Sequence, residues 1–273
     1  MTPEKFSDQS TPGMSTMGQP APGRLTVVGL GPGDPSLTAP RAREALASAR
    51  VVAGYVTYLD LVPPGLLEGK RIISTGMTGE VDRCSRAIEE ALAGWDTVVV
   101  SGGDAGVYGM AGLVLELLEA RGLLDVLTLE VVPGIPALAG AAALLGAPLT
   151  HDFACVSLSD LLTPWELIEK RLAAAASADF VLVLYNPRSR RRAGLLARAL
   201  EIVGEHRSPG TPVGMVRQAW RVGQSVRVDT LATVDPESAD MLTLVVVGNS
   251  RTRRAGGLML TPRGYADKYG MEK

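Results

Sequence analysis

Turns rich in glycine and proline follow directly after strand-like runs of apolar residues at four places in the chain. These turns are Gly29–Asp34, Ser101–Gly109, Val132–Ala137 and Leu184–Pro187. Helix-like segments separate the strands, and such alternation is typical of a largely parallel α/β sheet. In open parallel sheets, ligands bind beyond the carboxyl ends of the strands. The sequence therefore predicts an α/β fold whose ligand cleft is lined by these turns.

The turn around Pro133–Pro136 divides the chain into two predicted α/β domains with the cleft between them. Connections in the second half are short, which favours some antiparallel pairing there. The predicted limits are a tail over residues 1–23, an N-terminal α/β domain over 24–134, a C-terminal α/β domain over 135–265 and a tail over 266–273.

Local patterns predict where three helices begin. Thr38 can cap a helix over residues 39–49 that has proline in its first turn. Thr163–Glu166 has the pattern of a capping box. The uncharged stretch Val131–Thr150 is interrupted by proline and glycine, so it predicts a short helix over Ala137–Leu145 rather than a membrane span.

Composition excludes several classes of function. The chain of 273 residues has a formal net charge of −2, two cysteines, two histidines and 4% aromatic residues. This balance gives no case for nucleic acid or for an anionic membrane as a partner. So few cysteines and histidines predict no metal site. Residues 1–23 lack the apolar run of a signal peptide, so we expect a cytoplasmic protein.

The first two turns do not fit a phosphate-bearing ligand. In Gly29–Asp34, an aspartate replaces the third glycine of a dinucleotide fingerprint and Pro32 removes an amide donor, which disfavours a nicotinamide dehydrogenase. Asp34 is alternatively a local cap of the turn. In Ser101–Gly109, Asp104 either presents a carboxylate to a ligand or caps a helix that starts near Gly109. A nucleoside without phosphate fits this chemistry best.

The turns Gly29–Asp34, Gly102–Asp104 and Pro133–Ile135 resemble the tetrapyrrole (precorrin/uroporphyrinogen) methyltransferase family, whose members use S-adenosylmethionine. Longer strings resemble the branch of that family that methylates C17 of precorrin-3B in cobalamin biosynthesis. Those strings are His151–Phe153, Ser157–Glu166, Leu184–Ser189, Asp240–Thr243, Val247–Ser250 and Thr261–Tyr265. The resemblance covers Arg24 to Tyr265, and Ser157–Glu166 is its most specific part.

The resemblance implies a homodimer, S-adenosylmethionine in the cleft, and C17 methylation coupled to ring contraction, which gives precorrin-4. Pro136 stands where related enzymes have threonine, which loses a hydroxyl contact. Asn186 and Ala219 stand where methionine and glycine are common, so backbone contacts are expected there. The implied cofactor-binding residues are Pro32, Gly102, Gly103, Asp104, Val107, Pro136, Ala137, Asn186, Ala219 and Thr243.

Ring contraction should need proton transfer, and three residues are candidates for this catalytic role. His151 titrates near neutral pH, although a packed or solvated histidine is the alternative. Tyr108 borders the second turn, and Asp60 ends the polar, aromatic segment Gly54–Asp60.

Arginines are grouped without acidic neighbours in three places, the last of which is Arg251–Arg254. Arg188 precedes a run of three arginines, and the acid-free stretch 207–227 contains Arg217 and Arg221. Arginine binds carboxylates in a bidentate fork, and precorrins carry several peripheral carboxylates. We therefore predict Arg188, Arg191 and Arg217 as substrate-binding residues, with a solvated basic face as the alternative.

Three other functions are compatible with the same cleft. The substrate could be the cobalt-containing intermediate of the anaerobic route. The fold could methylate a different precorrin or a protein, although Ser157–Glu166 argues against this. The protein could also be a non-catalytic tetrapyrrole carrier, which would bind pigment but consume no S-adenosylmethionine.

Overall fold

The computed structural model describes residues 21–76, 78–188 and 194–270. Most of the predicted N-terminal tail and the last three residues therefore lie outside the described residues. The strands are β1 (Leu25–Gly29), β2 (Val51–Tyr55), β3 (Arg71–Thr75), β4 (Thr97–Ser101), β5 (Leu129–Val132), β6 (Gly146–Ala147), β7 (Phe153–Ser157), β8 (Val181–Tyr185), β9 (Pro212–Arg217), β10 (Ser225–Thr230), β11 (Thr243–Val247), β12 (Arg253–Ala255) and β13 (Leu258–Leu260).

Helices alternate with these strands, most regularly in the first half. The α-helices are α1 (Pro40–Ser48), α2 (Val56–Leu59), α3 (Glu80–Leu92), α4 (Met110–Ala120), α5 (Ala137–Leu145), α6 (Trp165–Ser177), α7 (Leu195–Gly204) and α8 (Tyr265–Tyr269). Short 3₁₀ turns occupy Pro35–Leu37, Pro64–Leu66 and Pro236–Ser238. Among the described helices, none is both long enough and apolar enough to cross a membrane.

Two five-stranded sheets organise the described residues. The N-terminal sheet has the order β3-β2-β4-β1-β5 and all its pairings are parallel. The C-terminal sheet has the order β10-β9-β11-β8-β7, and only the β7–β8 pairing is parallel. The predicted α/β fold, the parallel first half and the antiparallel pairing in the second half are confirmed. Each sheet takes its strands from one side of Pro133–Pro136, while the exact domain limits stay a prediction.

Helices cover both faces of each sheet, which explains the unbroken apolar runs in the central strands. In the N-terminal sheet, α3 and α4 pack on one face and α1 and α2 on the other. In the C-terminal sheet, α6 and α7 cover one face and α5 covers the other. This layering leaves the strand ends, rather than the faces, free to form a site.

The three predicted helices begin within one residue of their predicted starts, but two of the predicted side-chain caps are wrong. Thr38 ends the Pro35–Leu37 turn, and α1 begins at Pro40 without a side-chain cap. Pro164 occupies the N-cap position of α6, so Thr163 lies one residue too early to close a capping box. Helix α5 has the predicted bounds, Ala137–Leu145.

Candidate active site between the two sheets

A cavity of about 180 Å³ lies where the ends of strands from both sheets face each other. Nine of the ten predicted cofactor residues line this cavity, and the tenth, Pro136, immediately precedes lining residue Ala137. Tyr108, one of the three predicted catalytic residues, also lines it. The lining residues are Pro32, Tyr58, Gly102, Gly103, Asp104, Val107, Tyr108, Ala137, Tyr185, Asn186, Val216, Gln218, Ala219, Arg221, Met241, Leu242, Thr243 and Leu244.

The turns after β1, β4 and β5 form one wall by packing main chain against main chain; we call them the glycine loops. The Gly31 amide donates to the Gly103 carbonyl at 2.8 Å. A Cβ atom on Gly31 would lie 2.0 Å from the Ile135 carbonyl oxygen, and one on Gly134 would lie 2.3 Å from that of Gly103. Only glycine fits such an approach. These two glycines therefore bring the loops together.

The Asp104 carboxylate ties two of the glycine loops together. Its Oδ1 accepts from the amides of Gly106 at 2.8 Å and Val107 at 3.1 Å, and its Oδ2 accepts from the Gly134 amide at 3.0 Å. The alternative interpretation of Asp104 as a helix cap is wrong, because Gly109 is the N-cap of α4 and the Met110 amide donates to Ser101 Oγ. Asp104 thus shapes the cavity while lining it.

Asp34 caps its own turn, as the local interpretation predicted. Its Oδ1 accepts from the Ser36 hydroxyl at 2.7 Å and from the Ser36 amide at 2.8 Å. These two hydrogen bonds lower the pKa of Asp34. Its carboxylate is therefore used at the edge of the first glycine loop rather than in the cavity.

Non-glycine residues in left-handed backbone conformations line the cavity on both sides, one in the second glycine loop and two on the facing wall. Tyr108, Asn186 and Gln218 have φ values of 51°, 52° and 49°, and all three line the cavity. Each such residue costs on the order of 1–3 kcal/mol and persists only where its surroundings enforce it. Asn186 Nδ2 donates to Ser157 Oγ at 2.9 Å, and the Tyr108 hydroxyl donates to the Cys155 carbonyl at 3.2 Å. Strain concentrated around one cavity marks it as a functional site.

Tyr185 joins this wall to the start of α5. Its hydroxyl accepts from the Leu138 amide at 2.9 Å, and its ring packs against Tyr108 with centroids 5.0 Å apart. Burial raises the pKa of Tyr185 to about 12. The phenol therefore stays protonated at neutral pH and fixes the helix end beside Ala137.

Asp240 organises the edge of the cavity near Thr243. The Thr243 hydroxyl donates to Asp240 Oδ1 at 2.8 Å, and Arg217 Nε donates to Asp240 Oδ2 at 2.7 Å. Burial by itself would raise the pKa of Asp240, but the hydrogen bonds from Arg217, Thr243 and the Leu242 amide lower it. A substrate carboxylate would have to compete with Asp240 for Arg217.

The other predicted residues lie elsewhere. Arg188 pairs with Glu237 at 2.6 Å, and Arg191 lies outside the described residues. His151 lines a separate pocket with Arg263 and Tyr265, and Asp60 is exposed at the end of α2. Catalytic roles for His151 and Asp60 stay predictions that no contact with the cavity supports.

Tyr58 and Arg221 line the cavity, although the sequence analysis assigned neither of them a role. Both residues lie in segments that the sequence marks as polar or basic, but nothing in the sequence distinguishes them from their neighbours. Tyr58 lies in the polar, aromatic segment that drew attention to Asp60, and Arg221 lies in the acid-free stretch that drew attention to Arg217. Only the tertiary structure shows which member of each segment points into the cleft.

Comparison with known proteins agrees with this architecture. Residues 24–235 match the tetrapyrrole (corrin/porphyrin) methylase family. The probable cobalt-factor III C(17)-methyltransferase of Salmonella typhimurium is 51% identical over 88% of this chain and 99% of its own length. The precorrin-3B C(17)-methyltransferase of a Sinorhizobium species is 40% identical over 89% of this chain and 98% of its own. The chain belongs to the tetrapyrrole methylase family, as its motifs predicted.

Solved structures show the same fold. The crystal structure of the methyltransferase CobJ has a TM-score of 0.84 and 43% identity, covering 88% of this chain and all of that one. The uroporphyrin-III C-methyltransferase of Thermus thermophilus, complexed with S-adenosylhomocysteine, has a TM-score of 0.61 and 25% identity, covering 83% of this chain and 97% of that one. The fold is therefore that of a tetrapyrrole methyltransferase.

Proposed function

We propose that this protein transfers a methyl group from S-adenosylmethionine to C17 of precorrin-3B, in the step coupled to ring contraction that gives precorrin-4. The observation that carries the proposal is the convergence of nine implied cofactor residues on one cavity between the two sheets. Two relatives that align over almost their whole length are named C17-methyltransferases, which supports the position of methylation.

The cavity suits a nucleoside with an amino-acid tail. Its lining joins main-chain groups of Gly102 and Gly103 and the Asp104 carboxylate to apolar side chains such as Val107 and Leu244, and it contains no lysine. When bound, S-adenosylmethionine supplies a methyl group already activated by its positively charged sulfur. We assign Gly102, Gly103 and Asp104 to its methionine and ribose end, and Thr243 to its adenine.

The residues of the chain contribute orientation and proton handling. A fixed geometry that excludes water lowers the activation free energy of a two-substrate reaction by several kcal/mol, on the order of 7–11 kcal/mol in the best-oriented systems. Rigid glycine loops provide such a geometry. For ring contraction, Tyr108 faces the cavity, and burial raises its pKa, so it holds a proton at its hydroxyl oxygen.

A cobalt-loaded substrate is the second candidate, because the relative named for cobalt-factor III is 51% identical and the one named for precorrin-3B is 40% identical. Purified protein should be given methyl-labelled S-adenosylmethionine with either the metal-free or the cobalt-loaded substrate, and the product analysed by mass and NMR. Label at C17 of the metal-free product supports the proposal. Label only on the cobalt product selects the second candidate, and pigment binding without label indicates a carrier. The homodimer and the cytoplasmic location stay predictions.

A further inference from the structure

Arg221 reaches from the C-terminal half of the chain into the first glycine loop. Its Nε donates to the Pro32 carbonyl at 3.0 Å. A Cβ atom on Gly33 would lie 2.4 Å from that Nε, so the loop leaves space for this side chain. The guanidinium therefore occupies a built position at the mouth of the cavity, which it lines together with Pro32.

The loop that carries Arg221 is strained and held by several hydrogen bonds. Its neighbours Gln218, Trp220 and Gly223 have φ values of 49°, 59° and 84°. The Trp220 indole donates to the Gly140 carbonyl at 3.0 Å, and the Gln218 amide donates to the Leu242 carbonyl at 3.0 Å. Strained backbone that the surrounding hydrogen bonds hold in place is typical of segments at functional sites.

The charge of Arg221 has no acidic partner among the described residues, unlike that of Arg188 or Arg217. The only side-chain hydrogen bond that Arg221 makes within that part of the chain is the one from Nε to the Pro32 carbonyl, which leaves both terminal nitrogens available. Burial lowers the pKa of the Arg221 guanidinium, because a half-buried charge loses hydration. An anionic ligand would compensate for the hydration that the buried guanidinium charge loses.

Tyr58 lines the cavity together with Arg221 and offers a hydroxyl beside its charge. A Cβ atom on Gly102 would lie 2.6 Å from the Tyr58 ring, so the ring covers the second glycine loop. Burial raises the pKa of Tyr58, and the charges of Arg221 and Arg83 oppose that rise. Arg83 is 2% exposed, and its Nε has no hydrogen-bond partner in the structure. Glu80 also acts on Tyr58, but it forms no ion pair with either arginine within the described residues.

We propose that Arg221, together with the Tyr58 hydroxyl, binds a peripheral carboxylate of the tetrapyrrole substrate. This inference rests on the proposed function for the identity of the macrocycle. The methionine tail of the cofactor also carries a carboxylate, and the experiment separates the two sources. Binding here orients the macrocycle against the glycine loops, where the methyl group is expected.

The test compares binding of cobyrinic acid and of its fully methyl-esterified form, with S-adenosylhomocysteine present so that no turnover occurs. Absorbance titration of Arg221→Gln should show cobyrinic acid bound roughly 10- to 100-fold more weakly than by the wild type, as expected for loss of a charged hydrogen bond. The ester should bind both proteins within about 3-fold. Tyr58→Phe, which keeps the ring on Gly102, should weaken acid binding roughly 3- to 10-fold. Arg198→Gln, at an exposed arginine paired with Glu169, is the matched control and should change nothing.

Calorimetry with S-adenosylhomocysteine distinguishes the cofactor from the substrate. Its affinity should change less than about 3-fold in Arg221→Gln, and an equal loss for both ligands would overturn the inference in favour of the cofactor or of the Pro32 loop. Equal weakening of the acid and the ester would overturn it as well, as would unchanged acid binding. If Arg221→Gln does not fold, Arg221→Met, which removes the charge but keeps an unbranched side chain, and Tyr58→Phe give the same comparison. A wild type that binds the acid through Arg221 but transfers no methyl group would refute the proposed function and leave this inference standing.

Discussion

The two walls of the cleft are built by different means. The glycine loops form a wall of backbone whose geometry tolerates almost no added atom at positions such as Gly31 and Gly134. The facing wall is formed by side chains of residues such as Asn186, Gln218 and Arg221, several of them on strained backbone. The first wall is shaped mainly by close backbone contacts, and the second mainly by side chains. Substitutions should therefore act mainly on folding at one wall and mainly on binding at the other.

The largest effect is expected for Gly31→Ala. The new Cβ atom would meet the Ile135 carbonyl oxygen and the Gly103 Cα atom, and neither backbone atom can move without separating the loops. We expect the free energy of unfolding in urea to fall by more than about 3 kcal/mol, or folding to fail. Gly112→Ala is the control, since that helical glycine has open space around it and should gain up to about 1 kcal/mol. Equal stability of the two variants would break the contrast between the walls.

Asp104→Asn should have the next largest effect, because Asp104 both joins two glycine loops and lines the cavity. Asparagine cannot accept all three amide hydrogen bonds that the carboxylate accepts. We expect a loss of about 1–3 kcal/mol in unfolding free energy and weaker binding of S-adenosylhomocysteine by calorimetry. Asp125→Asn, at an exposed aspartate, serves as the control. Full stability and full affinity of Asp104→Asn would show that the loops hold together without the carboxylate.

Tyr185→Phe should cost about 1 kcal/mol at neutral pH, because the Leu138 amide loses its acceptor. The pH dependence gives a second readout. Since the folded pKa is about 12 and the unfolded value is 10.0, the phenol contributes stability that is fully present below pH 10 and is lost as the pH rises toward 12. Unfolding free energies measured from pH 7 to pH 11 should therefore fall less steeply in the variant than in the wild type. Parallel curves would mean that Tyr185 is not held in its neutral form by burial.

Arg217→Gln should have the smallest effect. Asp240 already satisfies this guanidinium, and a part-exposed ion pair contributes at most about 1 kcal/mol. We expect the substrate KM in a methyl-transfer assay to rise less than about 3-fold and the cofactor affinity to stay the same. A tenfold rise in KM would instead support the sequence-based assignment of Arg217 to the substrate.

Local patterns were enough to predict most of the fold. Continuous valine runs such as Thr97–Ser101 identified buried strands, and the turns after them placed the cleft at the strand ends. Strand β2 was missed because its short sequence contains Gly54, which the fold needs where Val100 and Leu59 pack closely. The predicted caps at Thr38 and Thr163 do not form, because Ala39 and Pro164 occupy the N-cap positions of α1 and α6.

The binding partners of charged residues could not be predicted in the same way. Arg188 and Arg217 were expected to be free because no acid lies near them in sequence, yet Glu237 and Asp240 reach them through the fold. Arg221 differs from these two arginines because its loop directs the side chain to the Pro32 carbonyl at the cavity. Separation along the chain therefore gives little information on whether an arginine is neutralised, and that decides which arginine can meet an anionic ligand.

A small three-stranded sheet of order β12-β13-β6 extends this dependence on distant residues toward the C-terminal part of the chain. Strand β13 pairs with β6, immediately after α5, and Met259 is fully buried beside that helix. The N-terminal end of α5 borders the cavity at Ala137, so a segment beyond the family-wide match braces one side of the cleft from behind. A chain truncated before Leu258 would lose this support, and we expect its first effect to be weaker binding at the proposed cofactor cavity, far from the truncation.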